Sequence, residues 1–243
     1  KGNDEIHGGG GHDVINFDLA AWHDGIEVNF ATGTATTVKA FTGIEDVRGS
    51  PGDDVITAEE YEMDVFVRGR DGDDIITGGA GDDTIYGDDG DDIIDGGDGD
   101  DKVYGGTGND ILIHSGRGAQ LFDGGEGIDT YKKSAVEAGL NLEIEVNLKT
   151  GYTGSITDRD HPRNDTVANI ENVDFSLVDW DLSLIGDDNA NILKGGTGDD
   201  KIYGGVGNDI LIGGNGANSY VYQKGDGRDV IVGFREGKGD TLS

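Results

Sequence analysis

Five contiguous nonapeptides occupy residues 69–113 and read GRDGDDIIT, GGAGDDTIY, GDDGDDIID, GGDGDDKVY and GGTGNDILI. In every copy the fourth residue is Gly, the sixth is Asp and the eighth is aliphatic. A second run, GGTGDDKIY, GGVGNDILI and the weaker GGNGANSYV, starts at Gly195. Two single copies, GGGGHDVIN from Gly8 and GSPGDDVIT from Gly49, keep the same register. A constant period predicts a repeat architecture in which each copy is one structural unit.

Each nonapeptide predicts a six-residue turn followed by a three-residue strand. The glycines permit the positive φ angles of a tight turn. Side chains alternate along a strand, so position 8 points inward and positions 7 and 9 point outward. One inward aliphatic side chain in nine residues is too little to hold a fold, and a further source of stabilisation is needed.

The composition is dominated by Gly and Asp. The 243 residues include 46 Gly, and 50 acidic residues outnumber 18 Lys and Arg, which gives a net charge of -32. Of the acidic residues 38 are Asp and 12 are Glu, a bias typical of turns rather than helices. The charge disfavours binding to nucleic acids and to anionic membranes. The absence of Cys excludes disulfides, zinc-thiolate sites and thiol nucleophiles.

The termini and the hydropathy add two expectations. No apolar stretch approaches the roughly 18 residues that span a bilayer. The first residues, KGNDEIHGG, contain no apolar signal segment and begin within the repeat pattern. We therefore expect no membrane span and a chain cut from something longer.

Parallel stacking of such repeats would place their Asp residues above one another about 4.8 Å apart. Ionised carboxylates at that spacing repel each other, and a desolvated ladder needs a counter-charge. Ca²⁺ accepts six to eight oxygen ligands in irregular geometry, whereas Mg²⁺ demands stricter octahedra. Zn²⁺ prefers His or Cys, and the five His residues lack ligand spacing. The pattern therefore favours Ca²⁺, and the disorder typical of acidic Gly-rich tracts is expected for the ion-free chain.

The nonapeptides match the pattern G-G-x-G-x-D-x-U-x, and the chain resembles the RTX family of parallel β-roll proteins. The resemblance implies an all-β fold of Ca²⁺-bound β-roll arrays, interrupted and capped by small β inserts. One coil of the roll would take eighteen residues, so that repeats n and n+2 stack and share a Ca²⁺. On this register the resemblance implies three carboxylate pairs, namely Asp74 with Asp92, Asp83 with Asp101, and Asp92 with Asp110.

Weaker positions extend this set of implied ligands. If residues 59–67 form a degenerate turn, Asp54 pairs with Asp74 and Asp64 with Asp83. In the second array Asn218 replaces one partner and Asp229 lies in a shifted repeat. The full set of implied metal ligands is Asp13, Asp54, Asp64, Asp74, Asp83, Asp92, Asp101, Asp110, Asp129, Asp200, Asp209 and Asp229, with the turn glycines Gly79, Gly81, Gly97 and Gly99.

Two similar segments interrupt the arrays. GIEVNFATGTA from Gly25 parallels LEIEVNLKTGY from Leu142, and TGIEDVRGS from Thr42 parallels ANIENVDFS from Ala168. Their alternation predicts strands at 26–30 and 144–148, each followed by a Thr-Gly turn. We expect these inserts to cover the open ends of the rolls.

The chain then divides into six predicted segments. They are the end of a truncated array (1–16), a β insert (17–48), the main array (49–131), a second insert (132–185), a second array (186–232) and a flanking strand (233–243). This order resembles the RTX region of adenylate cyclase-haemolysin toxins, and similar blocks occur in other large RTX toxins and adhesins.

Position 7 of alternate repeats places Ile75, Ile93 and Ile111 on the outer face of one sheet. The second array repeats this with Ile192 and Ile210. An apolar stripe on an outer face is normally covered or used in binding. We expect an insert strand to cover each stripe, with a partner protein as the alternative.

No catalytic motif accompanies the repeats. HExxH, the Walker loop and GxSxG are absent, and no EF-hand loop is complete. The sequence therefore predicts no enzymatic activity.

Three classes of function remain. The resemblance favours a Ca²⁺-binding fragment of a large secreted bacterial toxin that folds outside the cell after type I secretion. Its expected partners are calcium, the secretion machinery in transit and a host cell-surface receptor. The alternative is the Ca²⁺-binding tail of a secreted hydrolase or of a cell-surface adhesin. An ice-binding roll needs a flat rank of Thr, whereas position 9 reads Thr77, Tyr86, Asp95, Tyr104 and Ile113.

Overall fold

The computed structural model describes residues 4–17, 25–36, 38–59, 61–134, 143–155 and 164–243. These residues are almost entirely β structure, with one turn of 3-10 helix at Glu236–Lys238. The chain divides into two compact units, residues 1–129 and 130–243. The predicted all-β class and the parallel β-roll are confirmed. In the described part of the chain, no helix has the length and apolar character needed to cross a bilayer.

The first unit contains fourteen strands within its described residues. They are β1 (Asp4–His7), β2 (Val14–Asn16), β3 (Glu27–Asn29), β4 (Thr34–Ala35), β5 (Val38–Thr42), β6 (Asp46–Arg48), β7 (Val55–Thr57), β8 (Phe66–Asp71), β9 (Ile75–Thr77), β10 (Thr84–Asp89), β11 (Ile93–Asp95), β12 (Lys102–Thr107), β13 (Ile111–His114) and β14 (Leu121–Glu126).

These strands form two sheets in the first unit. Sheet A has the order β1-β5-β4-β3-β7-β9-β11-β13, and sheet B has the order β2-β6-β8-β10-β12-β14. From β7 onward successive strands belong alternately to A and B, and neighbours within each sheet are parallel. The chain therefore winds as a coil that crosses each sheet once per turn.

The second unit has twelve strands in its described residues. They are β15 (Thr130–Lys133), β16 (Glu143–Asn147), β17 (Tyr152–Ser155), β18 (Asn164–Ala168), β19 (Asn172–Asp174), β20 (Asp181–Ile185), β21 (Ile192–Lys194), β22 (Lys201–Tyr203), β23 (Ile210–Ile212), β24 (Ser219–Val221), β25 (Val230–Val232) and β26 (Thr241–Leu242). One sheet has the order β15-β19-β21-β23-β25 and the other β18-β17-β16-β20-β22-β24-β26.

The strand register follows the nonapeptide. Ile76 pairs with Ile94 and Ile94 with Leu112 in sheet A, while Ile85 pairs with Val103 in sheet B. All five are at most 1% exposed. In these repeats position 8 therefore forms the core between the two sheets, as predicted, whereas Phe122 takes this place above Val103 in the next coil.

The turns require glycine where one coil lies on the next. Gly90 has a φ of 138°. A Cβ on Gly90 would overlap the carbonyl oxygen of Gly72 in the preceding coil. Both the backbone angle and the close approach exclude a side chain at this position.

The inserts contain the predicted strands, and in their described residues these strands pair into the sheets rather than lie across the roll. The strand predicted at 26–30 is β3, and the strand predicted at 144–148 is β16. β3 and β16 each begin an antiparallel segment, β3-β4-β5 and β16-β17-β18. In the first unit this segment lies inside sheet A between β1 and β7, so it continues the sheet laterally.

The outer face of sheet A carries an apolar stripe, formed by Val55, Ile75, Ile93 and Ile111 in register. Val55, Ile75 and Ile93 are 42%, 47% and 38% exposed. The expectation that an insert strand covers this stripe is therefore wrong. The antiparallel insert pairs within the plane of the sheet, which leaves the outer face open.

Adjacent residues Ile93 and Ile94 offer a matched test of this architecture. We expect Ile94→Ala to lower the free energy of unfolding by about 2–5 kcal/mol, because it opens a cavity in the core. Ile93→Ala should cost less than about 1 kcal/mol, because its side chain is outside. Urea unfolding at saturating Ca²⁺ measures both, and equal losses would contradict the assigned inward and outward faces.

Candidate metal centres

The sixth residue of each repeat lies directly before a strand, and these residues stack into columns. In the first unit one column precedes the strands of sheet A. Each carboxylate accepts, through Oδ1, the backbone N–H of the residue below it. The donor and acceptor pairs are Asp54 and Asp74 (2.7 Å), Asp74 and Asp92 (2.8 Å), Asp92 and Asp110 (2.8 Å), and Asp110 and Asp129 (2.8 Å).

The column that precedes sheet B is shorter. Asp83 donates its N–H to Asp101 Oδ1 at 2.9 Å. Val65 lies below Asp83, and its N–H donates to Asp83 Oδ1 at 2.8 Å. Gln120 lies above Asp101, because Leu121 pairs with Lys102. Two carboxylates are thus enclosed between an apolar residue and a carboxamide.

The predicted pairing of Asp64 with Asp83 is wrong. Asp64 lies one residue earlier in the turn, is exposed, and accepts the N–H of Asp82 at 2.9 Å. The buried column position belongs to Val65, which is 3% exposed. An apolar side chain can fill this buried position without a counter-charge, whereas an ionised carboxylate cannot.

In the outer repeats, the column positions are occupied by Glu and Asn as well as Asp. In the first unit the N–H of Asp13 donates to Glu45 Oε2 at 3.1 Å, so a Glu follows Asp13 in the column. In the second unit Asp209 lies between Asn191 and Asp229. Asp200 lies between Leu182 and Asn218, and Asn218 is followed by Asp240.

Several column carboxylates have a second oxygen, Oδ2, that is buried and has no hydrogen-bond donor. Among the described residues, the buried Oδ2 atoms that accept no hydrogen bond include those of Asp13, Asp74, Asp92, Asp101, Asp110 and Asp209. A buried charged oxygen without a partner is strongly unfavourable. A cation that binds oxygen would satisfy these atoms, so the residues present fit Ca²⁺.

The first glycine of each repeat shapes the space around this oxygen. A Cβ on Gly87 would overlap Asp92 Oδ2 and would lie 2.6 Å from the carbonyl oxygen of Gly105 in the next coil. Gly69 has the same relation to Asp74 Oδ2 and to the carbonyl oxygen of Gly87. A carboxylate oxygen and a carbonyl oxygen from successive coils therefore meet beside a position that only glycine can occupy.

The glycines predicted to supply carbonyl ligands lie in the turns that lead to sheet B. The N–H of Gly79 donates to Asp83 Oδ2 at 2.7 Å, and its carbonyl accepts the N–H of Asp98 at 3.0 Å. A Cβ on Gly97 would overlap the Gly79 carbonyl oxygen, and one on Gly99 would overlap that of Gly81. The carbonyls of Gly79 and Gly81 thus lie against the glycines of the next coil.

Some of the predicted carboxylates already have protein donors at both oxygens. Asp54 Oδ2 accepts the N–H of Ser50 at 2.7 Å, and Oδ1 accepts the Ser50 hydroxyl at 2.7 Å. Asp200 Oδ2 accepts the N–H of Gly196 at 3.1 Å. Within the described residues, no three His, Cys, Asp or Glu side chains converge on one point. Any ion here would therefore draw on backbone carbonyls as well as carboxylates.

Burial raises the pKa of the column carboxylates. It is the largest cause in each case; the N–H hydrogen bonds act against it, and neighbouring carboxylates raise the pKa further. The pKa is raised to about 8 for Asp74 and Asp101, to about 7 for Asp92 and Asp200, and to about 6 for Asp83 and Asp110. Without a cation, Asp74 and Asp101 therefore hold their protons in the folded roll near neutral pH.

Four column residues were missed by the sequence prediction. Gln120 and Asn191 occupy the sixth position of degenerate nonapeptides, SGRGAQLFD from Ser115 and GDDNANILK from Gly186. Both repeats could have been found by allowing a carboxamide at that position. Glu45 and Asp240 lie in segments without the Gly turn, where the sequence carries no comparable signal.

Comparison with known protein families identifies the repeat. A family model described as the RTX calcium-binding nonapeptide repeat (4 copies) matches residues 1–19, 40–60, 66–94, 80–112 and 185–220. These ranges make up just over half of the chain. A search of curated proteins found no match.

The raised pKa values predict how the metal-free fold depends on pH. Unfolded Asp has a pKa near 3.8, whereas Asp74 and Asp101 have a pKa of about 8 when folded. The folded state therefore binds protons that the unfolded chain releases between these values. We expect the metal-free roll to be most stable below about pH 4 and to lose stability as the pH rises through about 8.

Circular dichroism of the metal-free protein between these pH values measures this effect. With saturating Ca²⁺ the dependence should reverse, because protons compete with the ion for the same oxygens. A metal-free β signal that strengthens as the pH rises would contradict the assignment.

Proposed function

Because the chain belongs to the family of RTX calcium-binding nonapeptide repeat proteins, we propose that it is a non-catalytic β-roll that folds when Ca²⁺ binds. The observation that carries the proposal is the set of buried, unpaired Oδ2 atoms in the columns. Their desolvation destabilises the ion-free fold, and Ca²⁺ offsets it by supplying positive charge and coordination at the same positions.

The ligand positions fall into two groups. The primary candidates each have a buried carboxylate oxygen that accepts no hydrogen bond; they include Asp13, Asp74, Asp92, Asp101, Asp110 and Asp209. The neighbouring coils add glycine carbonyls, including those of Gly87 and Gly105. The remaining proposed ligands complete the columns or their turns: Asp54, Asp83, Asp129, Asp200, Asp229, Gly79, Gly81, Gly97 and Gly99.

Metal binding of this kind acts as a folding switch. Each Ca²⁺ removes two units of negative charge from a chain whose net charge is -32. Extracellular Ca²⁺ modules have dissociation constants of about 10⁻⁴–10⁻³ M. The chain would then remain unfolded in a compartment poor in Ca²⁺ and fold outside the cell, where Ca²⁺ is abundant.

We infer from this switch that the chain is part of a large secreted bacterial toxin. An unfolded chain suits passage through a type I secretion machinery, and folding after export would hold it outside the cell. The order of array, insert and array supports this reading, as does the exposed stripe on sheet A, which suits contact with a host cell-surface receptor.

The central test is a Ca²⁺ titration followed by circular dichroism, with Mg²⁺ in parallel. We expect a cooperative gain of β signal with Ca²⁺ and none at equal concentrations of Mg²⁺, which keeps its hydration waters and prefers octahedral sites. The same ordered roll after complete chelation at neutral pH would contradict the proposal.

Asp92 and Asp91 provide a matched pair for the ligand assignment. We expect Asp92→Asn to raise the Ca²⁺ midpoint at least several-fold, because Asp92 lies between Asp74 and Asp110 in the column. Asp91→Asn removes the same charge from an exposed side chain whose hydrogen bond an amide oxygen can accept equally well. Equal midpoints for the two variants would show that the effect is only one of net charge.

A further inference from the structure

The apolar stripe of the first unit lies beside a row of exposed carboxylates. Asp53, Asp73 and Asp91 each stand two residues before a stripe residue, and all three are exposed. We call these three residues the acidic row. The second unit also has a partly exposed apolar line, Ile192, Ile210 and Val230, but Ala190, Asn208 and Arg228 occupy the corresponding positions. The combination of apolar stripe and acidic row is a feature of the first unit.

Hydrogen bonds between coils hold the acidic row in place. The N–H of Asp73 donates to Asp53 Oδ1 at 3.0 Å, and the N–H of Asp91 donates to Asp73 Oδ1 at 2.9 Å. The N–H of Asn109 continues the ladder to Asp91 Oδ1 at 2.7 Å. Each carboxylate thus uses one oxygen to fix its position. The row forms a rigid line of negative charge parallel to the stripe.

The spacing of the stripe matches an α-helix. Neighbouring parallel strands are about 4.8 Å apart, so the four stripe residues span about 14 Å. On a helix with a rise of 1.5 Å per residue, positions i, i+3, i+7 and i+10 lie on one face and span about 15 Å. Alternate residues of a strand are about 6.8 Å apart and do not match this spacing.

We propose that the stripe and the acidic row of the first unit together bind a basic amphipathic helix that lies along the axis of the roll. Its apolar face covers Val55, Ile75, Ile93 and Ile111, and Lys or Arg side chains on one flank lie over the acidic row. A second copy of this chain is disfavoured as the occupant, because each copy has a charge of -32. Anionic lipid is disfavoured for the same reason.

The probe is a labelled synthetic helical peptide with Leu at i, i+3, i+7 and i+10 and Lys along one flank. A control peptide has the same composition, with the Leu residues distributed around the helix. Fluorescence anisotropy in Ca²⁺ buffer should show binding of the patterned peptide that is at least tenfold tighter than that of the control. Equal affinity for the two peptides would mean attraction by net charge alone and would overturn the proposal.

Two sets of variants locate the surface. Ile75→Thr with Ile93→Thr keeps β-branched residues, as at Thr57 and Thr77 on the same sheet, and should weaken binding at least tenfold. Leu121→Thr on the outer face of sheet B is the matched control and should leave binding unchanged. Unchanged affinity after the double Ile replacement would overturn the proposal.

Asp73→Asn with Asp91→Asn tests the acidic row. An amide oxygen can still accept the ladder hydrogen bond, as Asn109 does from the N–H of Ile128 at 3.0 Å. We expect several-fold weaker binding and a smaller dependence on salt, and an unchanged salt dependence would contradict a role for the row. Circular dichroism of each variant in the same buffer monitors folding, so a failure of Ca²⁺-dependent folding is distinguished from a failure of peptide binding.

Discussion

The fold depends on buried carboxylates that cannot all remain charged and unpaired. In the column before sheet A, Asp74, Asp92 and Asp110 each order the coil below through Oδ1 and leave Oδ2 enclosed beside a glycine. The hydrogen bond sets the register of the stack, and the second oxygen creates a requirement for positive charge. The same side chain therefore determines both the geometry of the roll and its dependence on a cation or a proton.

The hydrophobic core is small, so the stability of the roll also depends on the carboxylate columns. In the regular nonapeptides each strand contributes one aliphatic side chain, such as Ile94 or Val103, to the core. Each carboxylate lies two residues before a core residue in the chain, so folding of the core brings the columns together. Loss of the counter-charge consequently affects every coil that shares a column, which couples ion binding to cooperative folding.

The sequence predicted the regular part of this structure well, because a nine-residue period specifies turn, strand and inward face at once. The resemblance to the repeat family, not the period itself, implied the pairing of Asp74 with Asp92 and of Asp83 with Asp101, and both pairs stack in the structure. The sequence-based prediction failed at residues 59–67, where no glycine marks the turn and Val65 takes the place assigned to Asp64. It also failed for the outer face of sheet A, since periodicity shows that a residue faces outward but does not show what covers it.

The coils are not equal in length, and the difference lies at the corners. Asp92 and Asp110 are 18 residues apart, whereas Asp110 and Asp129 are 19 apart, and Asn218 and Asp240 are 22 apart. Between β13 and the next turn one additional residue is accommodated, yet Leu121 still pairs with Lys102. Corners of the roll can therefore gain or lose residues without disturbing the register of the sheets. Such corners are the natural places for lineages to diverge in loop length, and for foreign peptides to be grafted onto the scaffold.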